Sequence, residues 1–534
     1  MLYKRFHQAV PPFHDAISAP AKRKTSWFTK KILEEGKPFE IAIIGGGPAS
    51  SFFAKLFIMG AMELATHKER DRVLQLLQLH IYEPRDASTM HHKGCGLGSG
   101  LFIADDFKDI NMLQTLQDFG APTYPITKFR YISPVGSFDL DIAKEFPWCS
   151  LYATNRASSS AGPSMDLALQ NSLKENKAVN IHNHLVVETN RCSDGKFQIV
   201  SADPSGGMHN REVDFLIGAF GVDTASAEMF KKIHPSYRPP AIKRMIQREM
   251  CVEDDSSSRA RDTISVFAIP TTKDMDFSIH FLALIPKVDK DGNVSMTATV
   301  RYALKRPGAR INSLDVFRYT ITHPIVTKVF PCFAVESIGC ICTPFAVVAQ
   351  GESVVDDGLA IIGDAGLSPR LYKNGLSGAY ISARILAETI LIYGPDAGPL
   401  EKRFVKRMRR RFDWRNLCGM MTMNMYDRLN LEWGAFGPIL QEIIRYANGR
   451  KALAAISTGV YSYPDIFLRF AALGAVGSAT SVLAGKLSSF KLFRLWGLAL
   501  YSKPWKFRGE FEELMDEVIC EEEISESDNS EETL

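Results

Sequence analysis

With 534 residues the chain is long enough for about two to four domains, and 46% hydrophobic with 23% charged residues is ordinary for a globular protein with a large core. A formal net charge of +3 supplies no global field of the kind that draws a protein onto nucleic acid. The nine cysteines are an odd number without metal-ligand spacing, since Cys340-x-Cys342 lacks a second pair; this argues against a zinc knuckle and for a reducing, cytoplasmic compartment.

The first twenty or so residues carry His, Pro and Asp where a signal peptide needs an unbroken apolar run, so secretion is not expected. Residues 1–38, with Lys22-Arg23-Lys24 and Lys30-Lys31 and little apolar periodicity, predict a flexible or loosely docked leader, either solvated or touching an acidic surface. The chain then changes character. In Ile41-Ala-Ile-Ile-Gly-Gly-Gly-Pro-Ala-Ser50 four apolar residues predict a buried parallel strand, which runs into Gly45-x-Gly47-x-x-Ser50 and a helix through Phe53, Leu56 and Phe57. Strand, tight glycine turn and helix in that order suit a dinucleotide phosphate site. Gly45 permits the turn, Gly47 has no β-carbon to hold a pyrophosphate away, and Pro48, Ala49 and Ser50 open the helix whose positive end faces the anion. A glycine turn in some other α/β protein is the competing reading. A polar, helical stretch from Thr66 to Leu76 leads to a second strand, Leu77 to Tyr82, ending in Glu83, the acid expected to hold a ribose hydroxyl pair.

His91-His-Lys-Gly-Cys-Gly-Leu-Gly-Ser-Gly100 is a second glycine-rich stretch. It predicts either backbone laid against a flat ligand or a plain flexible loop, and adjacent His91 and His92 point apart, against a shared metal. Short strands are expected at Phe129 to Ile132 and Ser137 to Asp141. Asn155-Arg156 then precedes a helix through Met165, Leu167 and Leu169. Three strands, Leu185 to Glu188, Phe197 to Ser201 and Val213 to Ile217, with turns at Asp194-Gly195 and Ser205-Gly-Gly207, predict a β-meander that delivers the chain into Gly218-Ala-Phe-Gly221 and Thr224. A second β-rich block runs from about Pro235 to Ile341 and suggests a separate sheet walling a substrate cavity. Leu359-Ala-Ile-Ile-Gly-Asp-Ala-Gly366 repeats the logic of the first strand and turn, and the helix opening at Gly375 and Leu376 has a face of small residues, including Gly378, Ala379, Ser382 and Ala383, that lets it approach something flat or another backbone.

The remainder reads as helical. Phe404, Met408 and Phe412, four apart among Lys402, Arg403, Lys406, Arg407 and Arg409-Arg-Arg411, predict one packed stripe under a wet basic face, with a phosphate or lipid site as the other reading. Phe470 to Gly485 is uncharged but short of a bilayer span. Phe490 to Tyr501, with Lys503, Trp505 and Lys506, suits an interfacial helix at a membrane surface or a docked core helix. The acidic tail after Glu510 reads as disordered.

Gly45-x-Gly47-x-x-Ser50, Glu83, Arg156, Gly218-Ala-Phe-Gly221 with Thr224, and Gly363-Asp364-Ala365 occur in the order seen in FAD enzymes of the para-hydroxybenzoate hydroxylase type, which the chain resembles from about residue 39 to 395. Lys93-Gly-Cys95-Gly-x-Gly98 is similar to the cysteine-glycine stretch of the geranylgeranyl reductase branch. The resemblance implies an α/β fold: a Rossmann-like FAD-binding domain (39–121, 151–232 and 343–398), an inserted antiparallel β-sheet substrate domain (122–150 and 233–342), a helical C-terminal region (399–510) and flexible tails (1–38 and 511–534). It further implies that Gly45, Gly47 and Ser50 hold the FAD pyrophosphate, Glu83 the adenosine ribose, Arg156 the flavin or pyrophosphate, and Asp364, after Gly363, the ribityl chain. The helix at Gly375 and Leu376 would point its N-terminus at the flavin pyrimidine edge, with NADPH or NADH as a visiting reductant and Cys95 as a redox or proton-relay residue, or else a structural cysteine. The chain departs from the family at Phe220, where an acid is usual. Three functions follow: hydride transfer to a carbon–carbon double bond of a hydrophobic, isoprenoid-like substrate, with peripheral membrane contact through the C-terminal helices; a flavin monooxygenase or halogenase; and a non-catalytic flavin-binding interaction protein.

Overall fold

A computed structural model describes residues 13–17, 25–88, 99–134, 136–156, 158, 162–240, 242–251, 261–271, 275–288, 294–304, 311–330, 341–342, 345–347, 350–367, 375–412, 447–458 and 479. The stretch around Cys95, the segment Phe470 to Gly485 apart from Ala479, the aromatic and basic stretch from Phe490 and the acidic tail lie outside the described residues.

Apolar runs that must be covered on both faces build a parallel sheet of β1 (Phe39–Ile44), β2 (Leu77–Tyr82), β3 (Val179–His182), β4 (Phe215–Gly218) and β5 (Leu359–Ile361). Its order is β5-β4-β1-β2-β3, with the short strand Val355–Asp356 antiparallel outside β5. Ile43 of β1 lies opposite Ile217 of β4 and Ile81 of β2. A glycine that follows Ile44 therefore sits at the carboxyl edge of the central strand, where open α/β sheets bind ligands.

An eight-stranded, largely antiparallel sheet is the second layer, built from Lys128–Ser133, Gly136–Asp141 and strands between Ile242 and Val347. One cluster of buried apolar side chains surrounds the parallel sheet and another lies on the eight-stranded sheet. A three-stranded sheet of Ser99–Ile103, Leu151–Asn155 and Thr123–Pro125 is joined to the large sheet through Ser99 Oγ and Thr297 Oγ1, 3.3 Å apart. The fold class is thus the expected one, a Rossmann-like sheet domain with an antiparallel β-sheet domain inserted in it.

The β-meander differs in one strand from the sequence reading. Its third member is Met208–Val213, while Phe215–Gly218 leaves it to become β4. Asp214 divides them: its N–H donates to Glu40 O and its carboxylate accepts the Glu40 N–H at 2.8 Å. The polar run Met208-His-Asn-Arg-Glu212 concealed the strand because it pairs at a sheet edge with all five of these residues exposed.

The leader is also tighter than its composition predicts, for the described parts of residues 1–38 dock as helices at Phe13–Ile17 and Thr29–Glu34. Phe13, Ile17, Phe28 and Ile32 are buried, and Trp27 meets Phe39 edge-on at 5.1 Å. Gly60 makes the approach possible, since a β-carbon there would lie 2.5 Å from Leu391 Cδ1 and 2.8 Å from Ile17 Cδ1. The helix Gly375–Tyr393 packs along Pro48–Leu64, and Ser382 of its small-residue face accepts the Gly363 N–H at 3.1 Å. Gly375–Tyr393 alone among the described residues is long and apolar enough to cross a membrane, and 94% of the qualifying window is buried inside the protein.

Asp109 ties these pieces together. Its Oδ2 accepts the Phe13 N–H (3.2 Å) and the Tyr380 hydroxyl (2.8 Å) and lies 3.2 Å from Arg384 Nη1. Asp109→Asn keeps the two hydrogen-bond acceptances but takes this anion away from the buried Arg384 charge. We expect a loss of about 2 kcal/mol, read from the urea midpoint; an unchanged midpoint would show that this junction does not hold the leader. Further along, Phe404, Met408 and Phe412 are buried, while Arg403 lies 4.6 Å from the centre of the Tyr393 ring and Arg407 pairs with Glu388 at 3.0 Å.

Candidate dinucleotide site

The turn after β1 is fastened on both sides, by the Gly45 N–H donating to Tyr82 O (2.9 Å) and the Ala219 N–H donating to Ile44 O (2.8 Å). At φ +103° only glycine is comfortable at position 45, and a β-carbon there would lie 2.6 Å from Ala219 O. Gly46 is clamped as a peptide unit: its N–H donates to Glu83 Oε2 and its carbonyl accepts from Gln170 Nε2, both at 2.8 Å. Gly47 is different. It has an ordinary φ of −76°, precedes the helix Pro48–Leu64 without a side-chain cap, and a β-carbon on it would meet nothing within 4 Å among the described residues.

The helix start therefore presents backbone N–H groups and positive potential to open space, the arrangement an anion needs. Pro48 at the first helical position sacrifices no hydrogen bond. Ser50 is fully buried and its hydroxyl donates to Gly47 O at 2.6 Å, filling the third-glycine position without steric cost. Ala49 meets the turn after β5, because a β-carbon on Gly363 would lie 2.9 Å from Ala49 Cβ. Gly363 (φ +66°) donates its N–H to Ser382 Oγ at 3.1 Å, and Asp364 follows in the turn Gly363–Ala365. Asp364 is thus at the carboxyl edge of β5, beside the glycine turn of β1.

Glu83, at the end of β2, is 5% exposed. Burial pushes its carboxyl up, but hydrogen bonds and charge from Arg85 and the Gly46 N–H outweigh this and hold its pKa below the ordinary value. Arg85 binds it side-on, with Nε 2.7 Å from Oε1 and Nη2 2.6 Å from Oε2, and its own pKa is raised chiefly by that contact.

Arg156 lies beyond the end of Leu151–Asn155 and pairs with Asp166 at 3.0 Å, and the Asp166 charge also reaches Arg85. Arg156 Nε is buried without a hydrogen-bond partner among the described residues. A β-carbon on Gly100 would lie 3.5 Å from both Arg156 Cδ and Leu376 Cδ1, so the second glycine-rich stretch ends where Arg156 meets the start of the helix Gly375–Tyr393. Cys95, the candidate catalytic residue, lies outside the described residues. Phe220 turns inward, its ring 4.9 Å from that of Phe230, and a β-carbon on Gly218 would lie 2.7 Å from Phe220 Cε1. Position 220 therefore packs the helix Thr224–Ile233 against the end of β4.

Arg85, Asp166 and Gln170 had no sequence signal of their own, although Arg85 stands two residues past the expected ribose acid. Gln170 is buried on the helix Met165–Lys174, 124 positions from the turn it holds. Gln170→Leu strands the Gly46 carbonyl, and a cost of about 1–3 kcal/mol in stability is expected from denaturant unfolding; an unaltered midpoint would show that the clamp contributes nothing.

FAD, implied by the resemblance, fits the turn. Among the described residues the glycine cradle opens at Gly47, the helix start is uncapped, and a buried guanidinium nitrogen of Arg156 has no partner. Gly47, Pro48, Ala49 and Ser50 would hold the pyrophosphate, with Arg156 and Asp364 on the flavin side.

No family model matches the chain, and no curated protein matches it in sequence. Solved structures do match in fold. A flavoprotein/dehydrogenase from Cytophaga hutchinsonii superposes with a TM-score of 0.57 at 13% identity, covering 83% of this chain and 100% of its own. A p-nitrophenol 4-monooxygenase from Pseudomonas putida gives 0.54 at 13% identity, covering 82% and 99%. A geranylgeranyl bacteriochlorophyll reductase-like protein from Thermoplasma acidophilum gives the same TM-score of 0.54 at 13% identity, also covering 82% and 99%. At such identities the likeness is one of fold, an α/β sheet domain carrying an antiparallel sheet domain.

Proposed function

We propose that the chain is an FAD-dependent oxidoreductase that reduces a carbon–carbon double bond of a hydrophobic, isoprenoid-like substrate, with NADPH or NADH as a transient reductant. The observation that carries the flavin half is the uncapped helix start at Gly47, open to an anion and set between Glu83 and the Gly363-Asp364 turn. Bound and reduced, FAD supplies a hydride. The residues of this chain would do the rest by position and charge. The helix start at Pro48 and the Arg156 guanidinium would neutralise the pyrophosphate. The N-terminus of Gly375–Tyr393 would favour negative charge on the reduced ring. The eight-stranded sheet, with its own apolar core, would form the wall of a dry substrate cavity.

The sequence Lys93-Gly-Cys95-Gly-x-Gly98 supports the reductase branch. A second reading, monooxygenation, has its own support in the equal TM-score, 0.54, of the p-nitrophenol 4-monooxygenase. Anaerobic bleaching of the flavin band by NADPH, followed by separate additions of a polyprenyl allylic substrate and of oxygen, discriminates. Reoxidation by the alkene with a product two hydrogens heavier supports the proposal. Fast oxygen consumption with a hydroxylated product, and none with the alkene, overturns it in favour of the second reading.

A further inference from the structure

The acid expected to hold the ribose has no acceptor position left for it. An ionised carboxylate offers roughly four lone-pair positions. In Glu83, Oε1 accepts the Arg85 backbone N–H (3.0 Å) and Nε–H (2.7 Å), and Oε2 accepts Arg85 Nη2–H (2.6 Å) and the Gly46 N–H (2.8 Å). A ribose diol brings two further donors to the same oxygens, so two of the present ones must leave.

Geometry decides which. The Gly46 N–H is fixed by the clamp of Glu83 and Gln170, and the Arg85 N–H by the chain. The guanidinium is the member nearest solvent, on a side chain 37% exposed against 5% for Glu83. Its charge would not be abandoned on release, for Asp166 and Asp223 both lie within electrostatic reach of it.

We propose that Arg85 is a latch on the dinucleotide site: its guanidinium closes Glu83 in the free protein and swings away when the adenosine ribose takes over the carboxylate. The inference rests on the FAD reading above, and adds a specific cost that the protein sets against cofactor entry. A latch of this kind lowers apparent affinity by the fraction of molecules that stand open. It also keeps a buried carboxylate paired while the site is empty, where an unpaired one is strongly destabilising.

The test mixes apo-protein with FAD and follows quenching of flavin fluorescence for the wild type, Arg85→Ala and Arg85→Lys. FMN, which carries no adenosine ribose, serves as the control ligand. Lysine keeps the charge beside Glu83 but not the side-on fork, so it protects the result against misfolding of the alanine variant. Expected are FAD association about tenfold or more faster in Arg85→Ala, a smaller gain in Arg85→Lys, and unchanged FMN binding. FAD association equal to or slower than wild type in both variants overturns the latch while leaving the flavin reading intact, and slower association would make Arg85 a direct contact of the ligand. Failure of wild type and both variants to bind FAD overturns the flavin reading and the latch together.

Discussion

Gly47→Val is expected to weaken FAD binding by about 10- to 100-fold at a stability cost of no more than about 1 kcal/mol, that of a poor helix N-cap, whereas Gly45→Val is expected to damage the fold itself. The two glycines stand two positions apart and face opposite constraints. Gly45 has φ +103° and backbone 2.6 Å from where a β-carbon would sit, so a side chain there must push Ala219 and the end of β4. Strain and overpacking of this kind cost about 1–3 kcal/mol each. Gly47 has an ordinary φ of −76° and, among the described residues, nothing within 4 Å of the same atom. A valine there meets none of the described residues and would meet a ligand lying against the turn. The pair of variants, compared by denaturant midpoint and by FAD titration, separates a glycine kept for the chain from a glycine kept for the cofactor. Equal loss of stability in both would remove the argument that Gly47 faces a ligand.

Acid is expected to destabilise the protein by about 3–5 kcal/mol between pH 6.5 and pH 4 through a row of histidines on the far side of β2. His80 Nδ1 lies 3.1 Å from His182 Nε2, the His182 and His184 rings are 5.4 Å apart, and the His184 and His209 rings stack at 4.6 Å. Arg211 Nη1 is 3.2 Å from His80 Nε2, Glu40 lies 3.4 Å from the same nitrogen, and Asp203 holds His209 at 2.9 Å. Burial first, then the Arg211 charge and His182, push His80 down to about 3. Burial, His184, Arg211 and His209 push His182 down to about 4. In the unfolded chain both imidazoles take up protons as pH falls through about 6.5, while in the folded protein they stay neutral until those lower values. The unfolded state therefore binds more protons over this window, and stability falls as pH falls. Every tenfold loss of proton affinity on folding corresponds to about 1.4 kcal/mol, and solvent screening at the half-buried end of the row brings the sum down to the figure given. Carboxylates elsewhere also respond to acid, so the comparison is between wild type and His80→Asn/His182→Gln. The doubly substituted protein should lose most of the wild-type slope between pH 6.5 and 4; parallel profiles would show that the row carries no such linkage.

What could be read from the chain alone follows from the range of the interactions. β1, β2 and β5 were legible because a strand buried on both faces must be apolar throughout, and because β1 and β5 each run into a glycine turn while β2 ends in an acid. Met208–Val213 was not, since an edge strand exposed from Met208 to Glu212 carries a polar composition. Phe13, Ile17 and Phe28 pack the leader onto the central helices, but Pro11-Pro12 and Pro20 break the periodicity that would have announced it. At the candidate site, the residues with fixed spacing, Gly45, Gly47, Ser50 and Glu83, could be named from sequence, and Gly363 and Asp364 only from the resemblance to the para-hydroxybenzoate hydroxylase type. Gln170 and Asp109 could not, because their partners lie 124 and 271 positions away along the chain for Gly46 and Tyr380 respectively. Arg85 is local, yet its grip on Glu83 depends on how the end of β2 is buried, which no spacing encodes. Phe220 shows the converse: a departure from the expected acid is accounted for by its packing on Phe230.

Whether the opening at Gly47 belongs to FAD is decided by the visible absorption spectrum of the purified protein, taken before and after incubation with FAD and removal of excess. Flavin bands should remain with the protein at about one equivalent per chain and be lost in Gly47→Val at unchanged fold. A wild-type protein that retains no flavin after reconstitution would rule this assignment out, and the glycine turns would then have to be explained by the packing of the parallel sheet alone.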